Sequence, residues 1–163
     1  MFELSVAIFA AISGALATHY VPLLHKSLSS GKNKHLNGQW LSLSYANEDE
    51  GWIPDRIDIS SSPVSISLAN KDRPHGYEYE CRANWQGTCY LVGKWWSTKP
   101  GANNSGPFSF WVSPHGDFMY GFYGGSGRDG SFRWAIWCLG RDEEALLKAK
   151  AKISDAAVLV VNE

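Results

Sequence analysis

The sequence has few cysteines and no excess of charge of either sign. Its 163 residues include only three cysteines, at positions 81, 89 and 138, with no Cys-x-x-Cys pair. This odd, unpaired set argues against a disulfide framework, so we expect reduced thiols, some of them buried. The 15 basic and 16 acidic side chains nearly cancel, which argues against a broad basic surface for DNA or RNA.

Patterns for catalysis and metal binding are also missing. There is no Gly-x-Ser-x-Gly elbow, and none of the five histidines stands at ligand spacing from a cysteine. We expect Asp49, Glu50 and Asp55 to form a solvated acidic loop. The glycine-rich run 121–130 lacks Gly-Lys-Ser/Thr and no helix follows it, so it predicts a hairpin turn. We therefore expect no enzymatic activity, no metal and no cofactor.

The abundant residues favour a β-domain. The chain has eight Trp, seven Tyr, seven Phe and 16 Gly, and aromatic residues favour sheets while glycine marks turns. From residue 36 onward, alternating hydrophobicity predicts eight strands, at about 36–46, 55–61, 64–69, 77–84, 88–96, 107–113, 117–123 and 131–140. Such short strands suggest a barrel or a sandwich. The fold class that we predict is mainly β: a small antiparallel up-and-down β-barrel over residues 36–141.

The C-terminal region, residues 142–163, has a different pattern. Strong helix formers run from Asp142 to Lys152, with acidic residues first and lysines last, as the helix dipole prefers. This predicts a helix packed against the barrel. For Val158–Val161 we predict a short strand or a partner contact.

The N-terminal region is a single long apolar segment. From Leu4 to Leu24 there is no charge when His19 is neutral, and a helix of this length spans roughly 30 Å, the thickness of a bilayer core. A transmembrane helix, a secretory signal peptide ending at Ala17 and a soluble docked helix remain open. The acidic start, Met-Phe-Glu, argues against a signal peptide.

The residues around this segment predict its orientation. Lys26, Lys32 and Lys34 follow it, and the positive-inside rule places that side in the cytoplasm. We predict a single-pass helix in the inner (cell) membrane over residues 1–25, a polar linker over 26–35 and a cytoplasmic β-domain. Small residues four apart favour self-association, so we expect a homo-oligomer.

Aromatic and basic side chains alternate along the predicted strands. Aromatic faces stack on nucleobases and Arg pairs with phosphate oxygens, so a small phosphate-bearing nucleotide suits this mixture. Alternation puts Arg133 on the face of Trp137, but does not say whether that face is inside. The candidate ligand-binding residues are Arg133, Trp96, Tyr123, Arg82, Trp137, Tyr79, Ser97 and Lys99. Trp40 and Arg141 are predicted to form a structural cation–π pair at the barrel base.

Several segments together resemble a known family. They are Leu-Asn-Gly-Gln-Trp-Leu-Ser-Leu-Ser-Tyr (36–45), Leu-Val-Gly-Lys-Trp-Trp-Ser (91–97), Gly-Pro-Phe-Ser-Phe (106–110), Gly-Asp-Phe-Met-Tyr-Gly-Phe-Tyr-Gly (116–124) and Trp-Ala-Ile-Trp-Cys-Leu-Gly-Arg (134–141). With the N-terminal segment, they resemble the transmembrane β-barrel effectors of bacterial CBASS anti-phage systems, which carry a minimal STING-like barrel. The family usually has two membrane helices, where this sequence predicts one.

The resemblance implies a function. It implies an antiviral effector whose barrel binds a cyclic di- or oligonucleotide made by a partner nucleotide cyclase, and whose occupancy controls oligomerisation and disruption of membrane lipid. Two other classes remain open. One is a lipocalin-like binder of an apolar ligand, exported by a signal peptide, and the other is an interaction module tethered to a membrane complex.

Overall fold

The computed structural model describes residues 34–45, 51–62, 64–126 and 132–161, with side chains as far as Ile153. Eight strands follow one another in order: β1 (Gly38–Tyr45), β2 (Trp52–Ser61), β3 (Ile66–Asn70), β4 (Tyr79–Gln86), β5 (Tyr90–Ser97), β6 (Ser105–Val112), β7 (Phe118–Ser126) and β8 (Phe132–Gly140). Each strand pairs antiparallel with the next. β8 returns to pair with β1, from Leu41 opposite Gly140 to Tyr45 opposite Ile136. The predicted up-and-down barrel is thereby confirmed, because the eight strands form one closed sheet, whereas a sandwich consists of two separate sheets.

The core lies inside this barrel. Side chains of a strand alternate between its two faces, so every second residue points inward. On β2 this places Ile53, Ile57 and Ile59 in the interior, while Arg56 and Asp58 face outward. The largest buried side chains come from several strands and include Trp40, Phe108, Phe110, Leu68, Leu91 and Met119.

One end of the barrel is closed by the residues just before β1. A short 3-10 turn, Lys34–Leu36, places Leu36 in the core, and the Trp40 Nε1 donates a hydrogen bond of 2.8 Å to the Leu36 carbonyl. The Arg141 guanidinium lies 4.3 Å from the centre of the Trp40 ring. It also donates to the carbonyls of His35 and Asn37. The predicted pair of Trp40 and Arg141 is therefore confirmed.

In the described residues, one α-helix, α1 (Glu143–Val161), covers part of the outer surface. Its apolar side chains Ala145, Leu146, Ala149 and Ile153 recur at helical spacing and are buried. They pack on outward-facing residues of β1, β7 and β8. The predicted C-terminal helix is confirmed. The strand predicted as one alternative for Val158–Val161 does not form, because no glycine or proline interrupts the helix before its end.

The three cysteines are free thiols. Cys81 lies inside the barrel and Cys138 lies under α1, while Cys89 is half-buried in the β4–β5 turn. Burial raises the pKa of Cys138 to about 12, and burial also raises the pKa of Cys81. Both buried thiols therefore stay protonated at neutral pH.

The predicted membrane helix at 1–25 and residues 26–33 of the linker lie outside the described residues, as do Asp49 and Glu50. In the part of the chain that the structure describes, no helix combines the length and apolar character needed to cross a membrane. The predictions of membrane location and orientation remain predictions.

Candidate ligand-binding site

The two ends of the barrel interior differ in chemistry. At the closed end the inner side chains are apolar, whereas the inner positions towards the opposite end carry polar groups. Three of the four buried polar side chains in the described residues, Ser42, Asp55 and Asn70, lie on strands at this second end, whereas the fourth, Ser113, lies in the β6–β7 turn at the closed end. Tyr79, Ser97 and Tyr123 are half-buried beside the first three. We call this second end the mouth.

Trp137 stands between the apolar core and the mouth. Its side chain is buried, and its Nε1 donates a hydrogen bond of 2.8 Å to the Ser42 Oγ. Its ring lies 5.0 Å from that of Phe110, and 5.7 Å from those of both Tyr79 and Tyr123. The ring contacts and the hydrogen bond hold the indole in one orientation, so it forms a rigid floor for the mouth.

Asp55 is the buried anion of this region. Its Oδ1 accepts hydrogen bonds from the backbone N–H of Arg56 at 2.7 Å and of Asp72 at 3.1 Å, and its Oδ2 accepts one from the Tyr79 hydroxyl at 3.1 Å. The expectation that Asp55 lies in a solvated loop is therefore wrong. The residue belongs to β2, and alternation with Ile53 and Ile57 turns its side chain inward.

Burial and the nearby Asp55 carboxylate raise the pKa of Tyr79 well above its ordinary value. The phenol therefore keeps its proton and acts as a donor to Asp55 throughout the neutral range. Because the Asp55 oxygens are already engaged by three donors, the carboxylate serves to position Tyr79 and the start of the β3–β4 loop.

The β3–β4 loop, residues 71–78, forms one side of the rim. The Asn70 side chain donates to the Tyr77 carbonyl at 2.8 Å and accepts from the Tyr79 N–H at 3.0 Å, which clamps the two ends of the loop. Arg73 and His75 adopt positive φ angles of 49° and 53°. Such backbone is uncommon outside glycine, and here the clamped ends of a short loop hold it.

Trp95 and Tyr123 form an aromatic pair inside the mouth. Their rings meet edge to face at 6.3 Å, and the Trp95 Nε1 donates a hydrogen bond of 2.7 Å to the Gly124 carbonyl. Gly125 is the inner residue next to Tyr123 on β7, and a Cβ there would stand 2.7 Å from the Trp95 ring. Because Gly125 has no side chain, the Trp95 indole can pack directly against the backbone of β7.

Two basic residues lie at the rim. Arg133 is exposed near the start of β8, on the same inner row as Ala135, Trp137 and Leu139. Lys99 is exposed in the β5–β6 connection, and its Nζ would lie 3.7 Å from a Cβ on Gly76 in the β3–β4 loop. Ser97 is on the same side, and its hydroxyl donates to the Glu78 carbonyl at 3.1 Å.

The structure therefore brings six of the eight candidate residues to the mouth: Arg133, Tyr123, Trp137, Tyr79, Ser97 and Lys99. The other two lie elsewhere. Trp96 stands opposite Glu80, and Arg82 opposite Lys94, on the outer face of β4 and β5. The alternation that sends Trp95 inward sends Trp96 outward, so these two residues do not line the same site.

Sequence reasoning missed four residues of the mouth, namely Ser42, Asp55, Asn70 and Trp95. The alternation of the strands indicated the first three, since each lies on the same strand face as a buried residue, namely Trp40, Ile57 or Leu68.

Within the described ranges, no three His, Cys, Asp or Glu side chains could hold a metal. In the same ranges, every buried side-chain nitrogen and oxygen has a hydrogen-bond partner.

Comparison with known proteins does not assign the chain to a family. No family model matches the sequence, and no curated protein matches it. A solved structure, that of a redesigned β-barrel, mFAP1, bound to DFHBI, is similar with a TM-score of 0.49 and 16% sequence identity. The match covers 67% of this chain and 97% of that chain.

Proposed function

We propose that this chain is a receptor that binds a small, flat, anionic ligand in the mouth of its barrel, and that this ligand is a cyclic oligonucleotide. One observation carries the proposal: Arg133 occupies the inner row at the rim, beyond the aromatic rings of Tyr79, Tyr123 and Trp137. A guanidinium at an open rim with aromatic faces below it offers the two contacts that a nucleotide needs.

The charges favour one orientation of the ligand. Asp55 is negative and lies below the rim, whereas Arg133 and Lys99 are positive and exposed at it. A phosphate group therefore gains most at the rim, and the bases point towards Tyr123 and Trp95. An eight-stranded barrel has room for at most one small ligand, which sets an upper limit on how much of a larger nucleotide enters.

The wider role follows from the family resemblance and the N-terminal segment. In this proposal, residues 1–25 anchor the chain in the inner membrane and the barrel faces the cytoplasm, where a nucleotide cyclase supplies the ligand. Binding then controls self-association of the anchored chains and the integrity of the membrane, as in an anti-phage effector. Leakage of dye from vesicles that carry the chain, with and without nucleotide, shows whether the ligand activates or restrains it.

Calorimetric titration of the full chain in detergent tests the binding step, with a panel of cyclic di- and trinucleotides. We expect one of them to bind, and Arg133→Ala to weaken it by about 10- to 100-fold, the effect of losing hydrogen bonds between a guanidinium and a phosphate. Arg133→Lys should recover only part of the loss, because an ammonium cannot form the two-pronged contact.

Arg82→Ala is the matched control for that experiment. It removes the same charge from the outer face of β4, away from the mouth, and should leave the affinity unchanged. Absence of binding across the panel, or an equal loss in both alanine variants, would contradict the proposal.

A binder of an apolar ligand is the second candidate. The rings of Trp95 and Tyr123 supply apolar surface inside the mouth, which favours such a ligand as well. The two candidates differ in their dependence on charge and in processing. An apolar ligand should bind equally to the Arg133→Ala variant, and an exported protein should begin after Ala17 when its mature N-terminus is sequenced.

A further inference from the structure

The outer surface of the barrel carries large exposed hydrophobic side chains on one wall. Five of them lie on β5, β7 and β8: Tyr90, Val92, Phe122, Phe132 and Trp134, with exposed fractions of 50%, 38%, 47%, 54% and 60%. We call these residues the aromatic wall. Of the large hydrophobic side chains that are exposed in the described ranges, none lies on β2 or β3.

The strand register makes the aromatic wall continuous. Val92 stands beside Ser109 of β6, and Ser109 stands beside Phe122 of β7, so only a small polar residue separates the two apolar side chains. Trp134 pairs with Gly124, and Phe132 pairs with Ser126 on the same edge. With neighbouring strands about 4.8 Å apart, these residues form one surface rather than scattered exposed side chains.

The rings at the rim end of the aromatic wall are held in place. Phe132 and Trp134 meet edge to face at 5.3 Å. A Cβ on Gly124 would stand 2.5 Å from the Phe132 ring and 3.2 Å from the Trp134 ring, so both rings rest on the bare backbone of this glycine. The exposed aromatic surface is thus preformed.

The outward-facing charges on the strands of the aromatic wall have one sign. β5, β6, β7 and β8 contain no aspartate or glutamate, and Lys94 is their only outward-facing charged residue. On the outer face of β4, Arg82 stands directly opposite Lys94, and the exposed Glu80 stands opposite Trp96. The wall formed by β2 differs, since its outward Arg56 and Asp58 are matched by ion pairs with Asp72 and Lys71.

From these observations we infer that the aromatic wall docks on the surface of an anionic lipid bilayer. Trp and Tyr side chains favour the headgroup level of a bilayer, and Lys and Arg beside them attract anionic lipids. A second copy of the chain is a poorer occupant. A two-fold contact would place the wall of one copy against that of another, and the strands β5 to β8 carry Lys94 but no acidic side chain to pair with it across that contact.

The inference rests on the proposed function in one respect, the membrane anchor in the N-terminal segment. The eight residues from 26 to 33, between the predicted helix and the first described residue, reach at most about 30 Å when fully extended. A tether of this length keeps the barrel close to the bilayer, and the high effective concentration allows a modest surface affinity to dock it.

Site-specific fluorescence on the full chain tests the docking. An environment-sensitive label is attached through Phe122→Cys, on the aromatic wall, or through Ser60→Cys, which is exposed on β2. Both variants carry Cys89→Ser, and the buried Cys81 and Cys138 are not labelled. The vesicles contain equal parts of phosphatidylcholine and phosphatidylglycerol, with a headgroup spin-labelled lipid as quencher. We expect quenching at position 122 and none at position 60.

The charge contribution has its own variants. Lys94→Gln and Arg82→Gln should each lower the ratio of docked to free barrel about five-fold, the effect of one basic side chain near an anionic surface. Vesicles of phosphatidylcholine alone, which carry no net charge, should also lower the ratio of docked to free barrel. If quenching at position 122 is the same in the Lys94→Gln and Arg82→Gln variants and with neutral vesicles, Lys94 and Arg82 do not contribute to docking.

The other outcomes overturn the inference in distinguishable ways. If the chain floats with the vesicles but position 122 is not quenched, or is quenched no more than position 60, the docking is wrong while the anchor stands. If labels at 122 transfer energy between chains and are shielded from lipid, the wall is an interface between copies. If the chain does not float with vesicles, both the anchor and the docking are wrong, whereas ligand binding in detergent is judged separately.

Discussion

The closed end and the mouth of this barrel are built from the same strands, but the first is packed mainly with apolar side chains and the second contains buried polar side chains. At the closed end, Leu36 and Trp40 fill the interior, and Arg141 binds the carbonyls that would otherwise be left open. At the mouth, Asp55 and Tyr79 form a polar contact inside the barrel wall. Apolar packing stabilises the fold but does not orient polar groups towards another molecule. A buried hydrogen-bonded side chain costs desolvation free energy, and its hydrogen bonds hold the neighbouring groups in one arrangement. We therefore expect the closed end to contribute most to stability, and the mouth to carry the ligand binding that we propose.

Truncation at the closed end should have the largest effect on stability. Trp40→Ala removes a fully buried indole and its hydrogen bond to Leu36, and we expect a loss of about 3–5 kcal/mol in the free energy of unfolding. Denaturant unfolding followed by near-UV circular dichroism measures it. Trp134→Ala, at an exposed outer position, should cost no more than about 0.5 kcal/mol. Similar losses in the two variants would break the comparison between the ends.

Loss of the buried carboxylate at the mouth should have an intermediate effect. Asp55→Ala leaves three donors without their acceptor, and we expect a loss of about 2–3 kcal/mol in the free energy of unfolding, measured by the same denaturant titration. The control is Asp58→Ala, three residues along β2, which removes an exposed ion pair with Lys71 and should cost less than about 1 kcal/mol. An equal cost for both would mean that Asp55 does not organise the mouth.

Removal of a single hydroxyl should have the smallest effect, with a signature in pH. Tyr79→Phe loses one hydrogen bond to a carboxylate, worth about 1.5 kcal/mol at neutral pH. The pKa of Tyr79 is raised in the folded state, so its contribution is complete below the ordinary value of 10.0 and is lost as the pH rises above it.

The measurement compares the two proteins by unfolding between neutral and strongly alkaline pH. Above the ordinary tyrosine pKa, one such group lowers stability by about 1.4 kcal/mol per pH unit, so the Tyr79→Phe variant should show a shallower decline than the unsubstituted chain. Parallel declines would show that the Tyr79 phenol is not protected in the folded state.

Much of the fold is predictable because it depends on local pattern. Alternation and turn residues predict all eight strands, and helix formers after Asp142 predict α1. The pair of Trp40 and Arg141 follows from the expectation that the first and last strands meet at the barrel base, and the structure has that contact at 4.3 Å. These inferences need only the order of the strands and the chemistry of single residues.

The site is less predictable because it depends on the phase of each strand. The charge of Asp55 favours a solvated loop, although its alternation with isoleucines places it on a strand. The chemistry of Trp96 and Arg82 suits the mouth, although their register places them outside. In both cases the residue type suggests one location, but the face of the strand on which the side chain lies determines another.

The sequence by itself determined which side chains share a face, because the period of two is a local property of an extended chain. Only the tertiary structure decided which face is inside. On β8 the rows containing Trp137 and Trp134 are both largely apolar, so hydrophobicity alone does not choose between them. Closure of β8 onto β1, together with the packing of α1 on Ile136 and Cys138, turns the row of Arg133 and Trp137 into the barrel.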